Sequence, residues 1–221
     1  MRLFITAVLL CTSALAARAA DDCAKTAEVK QPELTKELLR RFKIDQAARQ
    51  AVVDWTKQNG NPGDFGGEKL RGEKKTEFKK LADAVTKADE ENVAWFKQVV
   101  AKHGWPSSSL VGKEGAFDAW LLVQHADADP KFQRQCLDLM TKLPDGEVQK
   151  DNLALLTDRV LLAEGKKQIY GTQLDITDGK VVPQDLEDPD NVDKRRAEVG
   201  LEPLAKYIDE LAKAYGVTPT K

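Results

Sequence analysis

Apolar residues recur at helical spacing along most of this chain. In the segment ELTKELLRRFKIDQAARQAVVDW one face is formed by Leu34, Leu38, Phe42 and Val53. This spacing predicts a long amphipathic helix that starts at Pro32, since proline suits the first helical turn. The Asn-, Gly- and Pro-rich segment at residues 59–68 ends that helix. A second long helix is predicted at about 73–102, with its dense charge on a solvated face.

The rest of the chain predicts shorter elements. Three helices are expected at about 114–126, 130–142 and 148–164, and Asp129 before Pro130 is typical of a helix N-cap. β-Forming residues flank Asp178 and Gly179, a pair typical of a hairpin turn. Two short helices close the chain. The fold class predicted is mainly α: a multi-helix domain with one small β-hairpin near the C-terminus.

The N-terminus is typical of an export signal. Residues 1–19 combine Arg2, a short apolar run and the small-x-small site Ala17-Arg18-Ala19, as in a secretory signal peptide. We expect a flexible mature N-terminus at 20–32, a single mainly helical domain at 33–215 and a C-terminal tail at 216–221. No later segment approaches the length of a membrane span. The protein is therefore expected to be exported, periplasmic or secreted, without a membrane span once the signal is removed.

Composition limits the function further. Of 221 residues, 32% are charged and 42% apolar, which is ordinary for a globular protein, and the net charge of -2 gives no electrostatic reason to bind nucleic acid. The exported chain keeps Cys23 and Cys136, which either pair or remain independent thiols. The chain lacks the common metal, phosphate-loop and serine-hydrolase motifs. The two histidines, His103 and His125, offer little for a zinc site because they lie in separate segments. No metal site is expected, and no cofactor is expected either.

His125 is the most unusual polar residue of the predicted helices. It ends the apolar run AWLLVQH and shares a helical face with Leu121 and Phe117. It has either a structural role at the helix C-terminus, favoured by the helix dipole, or a functional role with a partner that tunes its pKa. Asp158, on a separate helix, is the expected partner that orients it.

Two charged groups on other helices also allow two interpretations. Asp45, Gln46 and Arg49 extend the apolar face of the first helix, either as an exposed i,i+4 ion pair or as the rim of a ligand pocket. Asp158 and Arg159 interrupt the apolar segment LALLTDRVLLAEG. They form either a buried salt-bridge network or a site in which Arg159 binds an anion.

The C-terminal third adds a further polar group. Tyr170 and Gln173 in YGTQ offer neutral hydrogen bonds, and Gly171 permits a close backbone approach. Arg195 and Arg196 either bind phosphate or carboxylate, or make surface and inter-helix pairs.

Six motifs together resemble a bacterial exported domain family of unknown function. They are DQAAR (45–49), GWP (104–106), LLVQHAD (121–127), LLTDRV (155–160), QIYGTQ (168–173) and NVDKRRAEVGL (191–201). The resemblance extends over about residues 33–211 and implies that these polar segments are shared by the family, but it supplies no activity. The residues matched are Asp45, Gln46, Arg49, His125, Asp158, Arg159, Tyr170, Gln173, Arg195 and Arg196.

Two functions of different class remain open. The first is a binding or interaction module with a polar pocket around His125, whose partner is a small anionic ligand or a cell-envelope component. The second is a hydrolase-like enzyme acting on such a ligand, with His125 as general acid/base oriented by Asp158. In both, the ligand-binding residues would be Asp45, Gln46, Arg49, Arg159, Tyr170, Gln173, Arg195 and Arg196.

Overall fold

The computed structural model describes residues 29–60, 70–177, 179–215 and 217–219. Seven α-helices lie within these ranges, together with a small sheet whose strands follow the fifth and the seventh helix. The helices are α1 (Pro32–Asn59), α2 (Gly72–His103), α3 (Ser108–Gln124), α4 (Pro130–Met140), α5 (Lys150–Ala163), α6 (Val192–Glu198) and α7 (Leu204–Tyr215). The predicted fold class, mainly α, is confirmed. The predicted signal peptide, residues 1–19, lies outside the described residues, as does Cys23.

The two long helices pack side by side in opposite directions. Arg49 of α1 contacts Asp89 of α2, and Trp55, further along α1, contacts Glu77, an earlier residue of α2. α3 packs against α1, and α5 packs against both α3 and α4. Their apolar faces form the larger core, which includes Leu38, Phe96, Trp120, Cys136 and Leu156. No helix among the described residues has the length and apolar character needed to cross a membrane.

Local signals set most helix boundaries. Asp129 caps α4 by accepting a hydrogen bond from the backbone N–H of Phe132 at 3.1 Å, as its position before Pro130 predicts. α3 begins at Ser108, six residues before the predicted start, and bends at Gly112, whose φ is 77°. A Cβ at Gly112 would lie 3.1 Å from a Val29 side-chain carbon. The left-handed backbone there therefore favours glycine for two reasons.

The predicted hairpin is present and belongs to a mixed three-stranded sheet. β1 (Leu174–Thr177) pairs antiparallel with β2 (Lys180–Pro183), so that Thr177 lies opposite Lys180 across the turn. A third strand, β3 (Thr218–Pro219), runs parallel to β2 within the segment predicted to be a tail. Asp178 of the turn lies outside the described residues. The sheet and α7 enclose a second, smaller apolar cluster that includes Leu174, Val181, Ile208 and Leu211.

Candidate functional site

His125 follows α3 directly and is buried between α1 and α2. Its side chain is 2% exposed, and that of Asp45, its partner from α1, is 1% exposed. The Nδ1 atom of His125 lies 2.9 and 3.0 Å from the two carboxylate oxygens of Asp45. The two residues are 80 positions apart in the sequence. Asp45, rather than the expected Asp158, is therefore the partner that orients His125.

Arg49 joins this pair to α2. Its Nε atom lies 3.2 Å from Asp45 Oδ1 and 2.9 Å from His125 Nδ1, and its Nη2 atom donates to Asp89 Oδ1 at 2.5 Å. Nδ1 cannot both donate to Asp45 and accept from Arg49. We assign its proton to the hydrogen bond with Asp45, because a carboxylate is the stronger acceptor and Arg49 Nε–H can also donate to that carboxylate. We call Asp45, Arg49, Asp89 and His125 the His125 cluster.

The assigned tautomer leaves a lone pair on His125 Nε2. This atom is buried and has no hydrogen-bond partner. Burial has the largest effect on the pKa of His125 and lowers it. Asp45 acts to raise this pKa, but it does not offset the lowering by burial, Arg49 and Arg159 together. The imidazole is therefore neutral at pH 7, and Nε2 is a hydrogen-bond acceptor without a donor.

The two carboxyl groups of the cluster differ in their proton affinity. Burial and the nearby Asp45 and Asp127 raise the pKa of Asp89 to about 7, although Arg49 opposes this. Burial also acts to raise the pKa of Asp45, but His125, Arg49 and Gln46 together lower it. Gln46 contributes by donating to Asp45 Oδ2 at 2.7 Å. Asp45 is thus ionised at neutral pH, whereas Asp89 is there partly protonated.

Asp127 and Arg159 form an ion pair beside the His125 cluster. Arg159 Nη1 donates to Asp127 Oδ1 at 2.6 Å; the Arg159 side chain is 7% exposed and that of Asp127 is 40% exposed. Gln133 donates to the same carboxylate oxygen at 3.3 Å. The Nε atom of Arg159 is buried and has no hydrogen-bond partner. Asp127 therefore fixes one end of the buried guanidinium of Arg159.

Asp158 binds backbone instead of a catalytic partner. Its carboxylate accepts from the N–H groups of Ile169, Tyr170 and Thr172, at 2.7, 3.0 and 2.9 Å, and from the Thr172 hydroxyl at 2.9 Å. The prediction that Asp158 orients His125 is wrong, because these four donors surround its oxygens. Burial nevertheless raises the pKa of Asp158, with the same hydrogen bonds opposing the rise. Asp158 anchors the loop that leads to β1.

The other predicted residues of this region make further contacts within the loop and with α7. Gln173 donates to the Thr172 hydroxyl at 3.1 Å, and its backbone N–H donates to the Gln168 side chain. Tyr170 is held through its backbone. Gly171 has a φ of 66°, and a Cβ there would lie 3.1 Å from the side chain of Leu204. The close approach predicted for Gly171 is therefore present.

The two arginines of α6 bind carbonyl groups of the same loop. Arg195 donates to the carbonyl oxygen of Ile169 at 2.9 Å, and Arg196 donates to that of Tyr170 at 2.7 Å. Arg196 is 1% exposed and its guanidinium lies 5.0 Å from the centre of the Tyr207 ring. The structure thus favours the inter-element pairing that we considered for these residues, because their donors are engaged by the protein backbone.

Three groups in the cluster have the chemistry of metal ligands. One ligand atom from each of Asp45, Asp89 and His125 lies within 4.8 Å of the others. The guanidinium of Arg49 contacts all three residues and supplies positive charge among them. A divalent cation bound by these ligands would have to displace Arg49.

The structure brings together part of the predicted set and adds residues that the sequence did not single out. Asp45, Gln46, Arg49 and His125 meet directly. Asp89 was missed because it lies in a densely charged helix, where no local signal distinguishes it from solvated acids. One signal was available for Asp127, since it shares the motif LLVQHAD with His125.

Comparison with known proteins gives a family without a known activity. No curated protein and no solved structure matches the chain. A family model matches residues 32–219, a range that begins with α1 and ends with β3. By this match the chain belongs to a family of unknown function, DUF6624.

Proposed function

We propose that the protein is an exported binding module that holds a small polar ligand in a pocket around His125. The observation that carries this proposal is the acceptor atom His125 Nε2, which is buried and unpaired while Nδ1 is held by Asp45. Buried polar atoms are nearly always hydrogen-bonded to protein or water, since leaving one unpaired costs about 1–3 kcal/mol. A ligand that donates to Nε2 removes this cost.

Other unpaired atoms lie near His125. Within the described residues, the buried side-chain atoms without a partner include Gln124 Nε2, next to His125 in sequence, and Arg159 Nε, whose guanidinium binds Asp127, two residues after His125. Asn92 Nδ2, one helical turn from Asp89, is another. Unpaired polar groups of both kinds, donors and an acceptor, support a site for a polar ligand.

The export part of the proposal rests on residues 1–19, with their short basic start, apolar run and small-x-small site. Mass spectrometry of the protein recovered from cell fractions tests it. We expect a mature chain that begins near residue 20 in the periplasmic or secreted fraction. An intact Met1 in the cytosolic fraction would contradict export.

Ligand binding is testable by thermal unfolding with a panel of small molecules: amino acids, sugars, carboxylic acids, phosphate and amines. A ligand at a hundred times its Kd adds about 2.7 kcal/mol of stability, which raises the Tm of a domain this size by about 5–10 °C. We expect at least one class to do so with the wild-type chain. His125→Asn can keep the donor to Asp45 but lacks Nε2, and it should reduce the shift.

The matched control is His103→Asn, which replaces the other histidine, at the end of α2. It should respond to the panel like the wild type. If no class shifts the Tm of the wild type at millimolar concentration, the binding-module proposal fails. It also fails if His125→Asn responds as fully as the wild type.

A second candidate is a hydrolase-like enzyme, and the Asp45–His125 pair specifically favours it. A carboxylate on Nδ1 fixes the tautomer in which Nε2 can accept a proton. In this candidate Nε2 takes a proton from water as the water oxygen attacks an ester carbon or phosphorus. The same proton then passes to the leaving oxygen. His125 is the general acid/base and Asp45 positions it.

Hydrolysis of p-nitrophenyl acetate and p-nitrophenyl phosphate tests the enzyme candidate. General acid–base catalysis contributes about 10²–10⁴-fold, so both His125→Asn and Asp45→Asn should lower kcat by at least about a hundredfold. The His103→Asn control should retain the wild-type rate. Turnover no faster than in buffer, or equal in all variants, would exclude this function for these substrates.

A further inference from the structure

The guanidinium of Arg159 is held at one nitrogen and unpaired on its other edge. Nη1 donates to Asp127, and Asp127 is the sole hydrogen-bond partner of Arg159 among the residues that the structure describes. Nε is buried and unpaired. The Asp127 contact therefore fixes the side chain but leaves the edge formed by Nε and Nη2 available.

That edge suits an oxyanion. The Nε–H and Nη2–H groups of arginine point in parallel and match two oxygens of a carboxylate or phosphate. A buried charged donor without a partner is costly, and hydrogen bonds between charged groups are stronger than neutral ones. The neighbouring Asp158 does not fill the position, because the backbone N–H groups of Ile169, Tyr170 and Thr172 bind its carboxylate.

Arg159 needs acceptor oxygens on the ligand, whereas His125 needs a hydrogen-bond donor. The Nε2 atom of His125 is a buried acceptor without a donor. Arg159 is held beside it by Asp127, which lies two residues after His125 and binds the guanidinium at 2.6 Å. A simple oxyanion such as sulfate would present only lone pairs to Nε2. A ligand that satisfies both residues needs oxygens for Arg159 and an O–H group for His125.

We propose that the ligand of this site is an oxyanion that also carries a hydroxyl group, such as hydrogen phosphate or a 2-hydroxycarboxylate. Nε and Nη2 of Arg159 bind its oxygens, and its hydroxyl donates to His125 Nε2. This inference rests on the proposed binding function and names the chemical class of the ligand.

Isothermal titration calorimetry at pH 7.5 and constant ionic strength tests it with two matched pairs of probes. Phosphate carries a hydroxyl at this pH and sulfate does not; glycolate carries one and acetate does not. Because an unmet buried acceptor costs about 1–3 kcal/mol, we expect the wild type to prefer the hydroxyl-bearing member of at least one pair by about fivefold or more. The pair that shows the preference identifies the phosphate or the carboxylate as the source of the oxyanion.

Two variants test the two contacts separately, and a third variant is the control. Arg159→Lys keeps the charge but lacks the parallel donors, and it should weaken binding of the preferred anion at least tenfold. His125→Asn should reduce the preference for the hydroxyl to less than about threefold. The control Arg134→Lys replaces an arginine that binds Glu164 at the surface and should bind as the wild type does.

Several results would overturn the proposal. The first is that neither phosphate nor glycolate binds the wild type below millimolar concentration, and the second is that each probe binds like its partner lacking the hydroxyl. A hydroxyl preference that survives in His125→Asn is equally contrary. The first two results concern the wild type alone, so they test the proposal even if a substituted chain fails to fold. If a neutral compound or an amine shifts the Tm while no oxyanion binds, this inference fails and the binding function survives.

Discussion

Replacing Asp158 should reveal how strongly one buried carboxylate holds the loop before β1. Asp158 is fully buried and accepts hydrogen bonds from four donors: the N–H groups of Ile169, Tyr170 and Thr172 and the Thr172 hydroxyl. Asp158→Ala leaves all four without their acceptor. An unsatisfied buried donor costs about 1–3 kcal/mol, and relaxation of the loop and entry of water recover part of the sum. We expect a loss of about 4–5 kcal/mol.

Asp158→Asn should be less damaging. The amide oxygen keeps an acceptor for about half of these donors, while its NH₂ group faces the others. Burial raises the pKa of Asp158, so part of the hydrogen-bond energy is already offset by desolvation of the charge, a cost that asparagine does not have. We therefore expect the free energy of unfolding to fall by about 2–3 kcal/mol, well short of the alanine variant.

Urea unfolding followed by circular dichroism at pH 7 measures both losses. Asp145→Ala, an exposed aspartate in the turn before α5, is the control and should change stability by less than about 0.5 kcal/mol. A loss below about 1 kcal/mol for Asp158→Ala would show that the loop does not depend on this carboxylate. Equal losses for the alanine and asparagine variants would refute the argument from the retained acceptor.

Three further predictions concern single residues. The pKa of Asp89 rises from 3.8 to about 7 on folding, so the folded chain binds more protons between those pH values and stability falls as pH rises through this window, by up to about 4 kcal/mol. Asp89→Asn should lack this component in urea unfolding between pH 5 and 8, and an unchanged pH dependence would contradict the assignment. Burial raises the pKa of Cys136 from 9.0 to about 12, which lowers the thiolate fraction at pH 8 by about 1000-fold, so in a Cys11→Ser, Cys23→Ser chain Ellman's reagent should react rapidly only in urea. Fast reaction of the native protein would show that Cys136 is accessible. Asp129→Ala removes the α4 N-cap and an ion pair with Lys97, and thermal or urea unfolding should show a loss of about 1–2 kcal/mol; no measurable loss would mean that the cap contributes nothing to stability.

The helices and the hairpin could be predicted from the sequence, apart from the first six residues of α3, because the signals for these elements are local. Apolar spacing identified α1 and α2, and the Asp129-Pro130 pair marked the start of α4. The Asp-Gly pair located the turn between β1 and β2. Each signal acts over a few residues, which is the range that backbone conformation and capping require.

The sequence also identified His125, Asp45 and Arg49 as polar residues that ordinary helix faces do not explain. Which of these residues contact each other depends on how the helices pack. The Asp45–His125 contact joins residues 80 positions apart, and Asp89 reaches the same cluster from α2. Asp158 lies on a neighbouring helix and looked like an equally good partner, yet its carboxylate binds the loop. Spacing along a helix specifies a face and carries no information about which face packs opposite it, so the partners of a buried charge follow from packing alone.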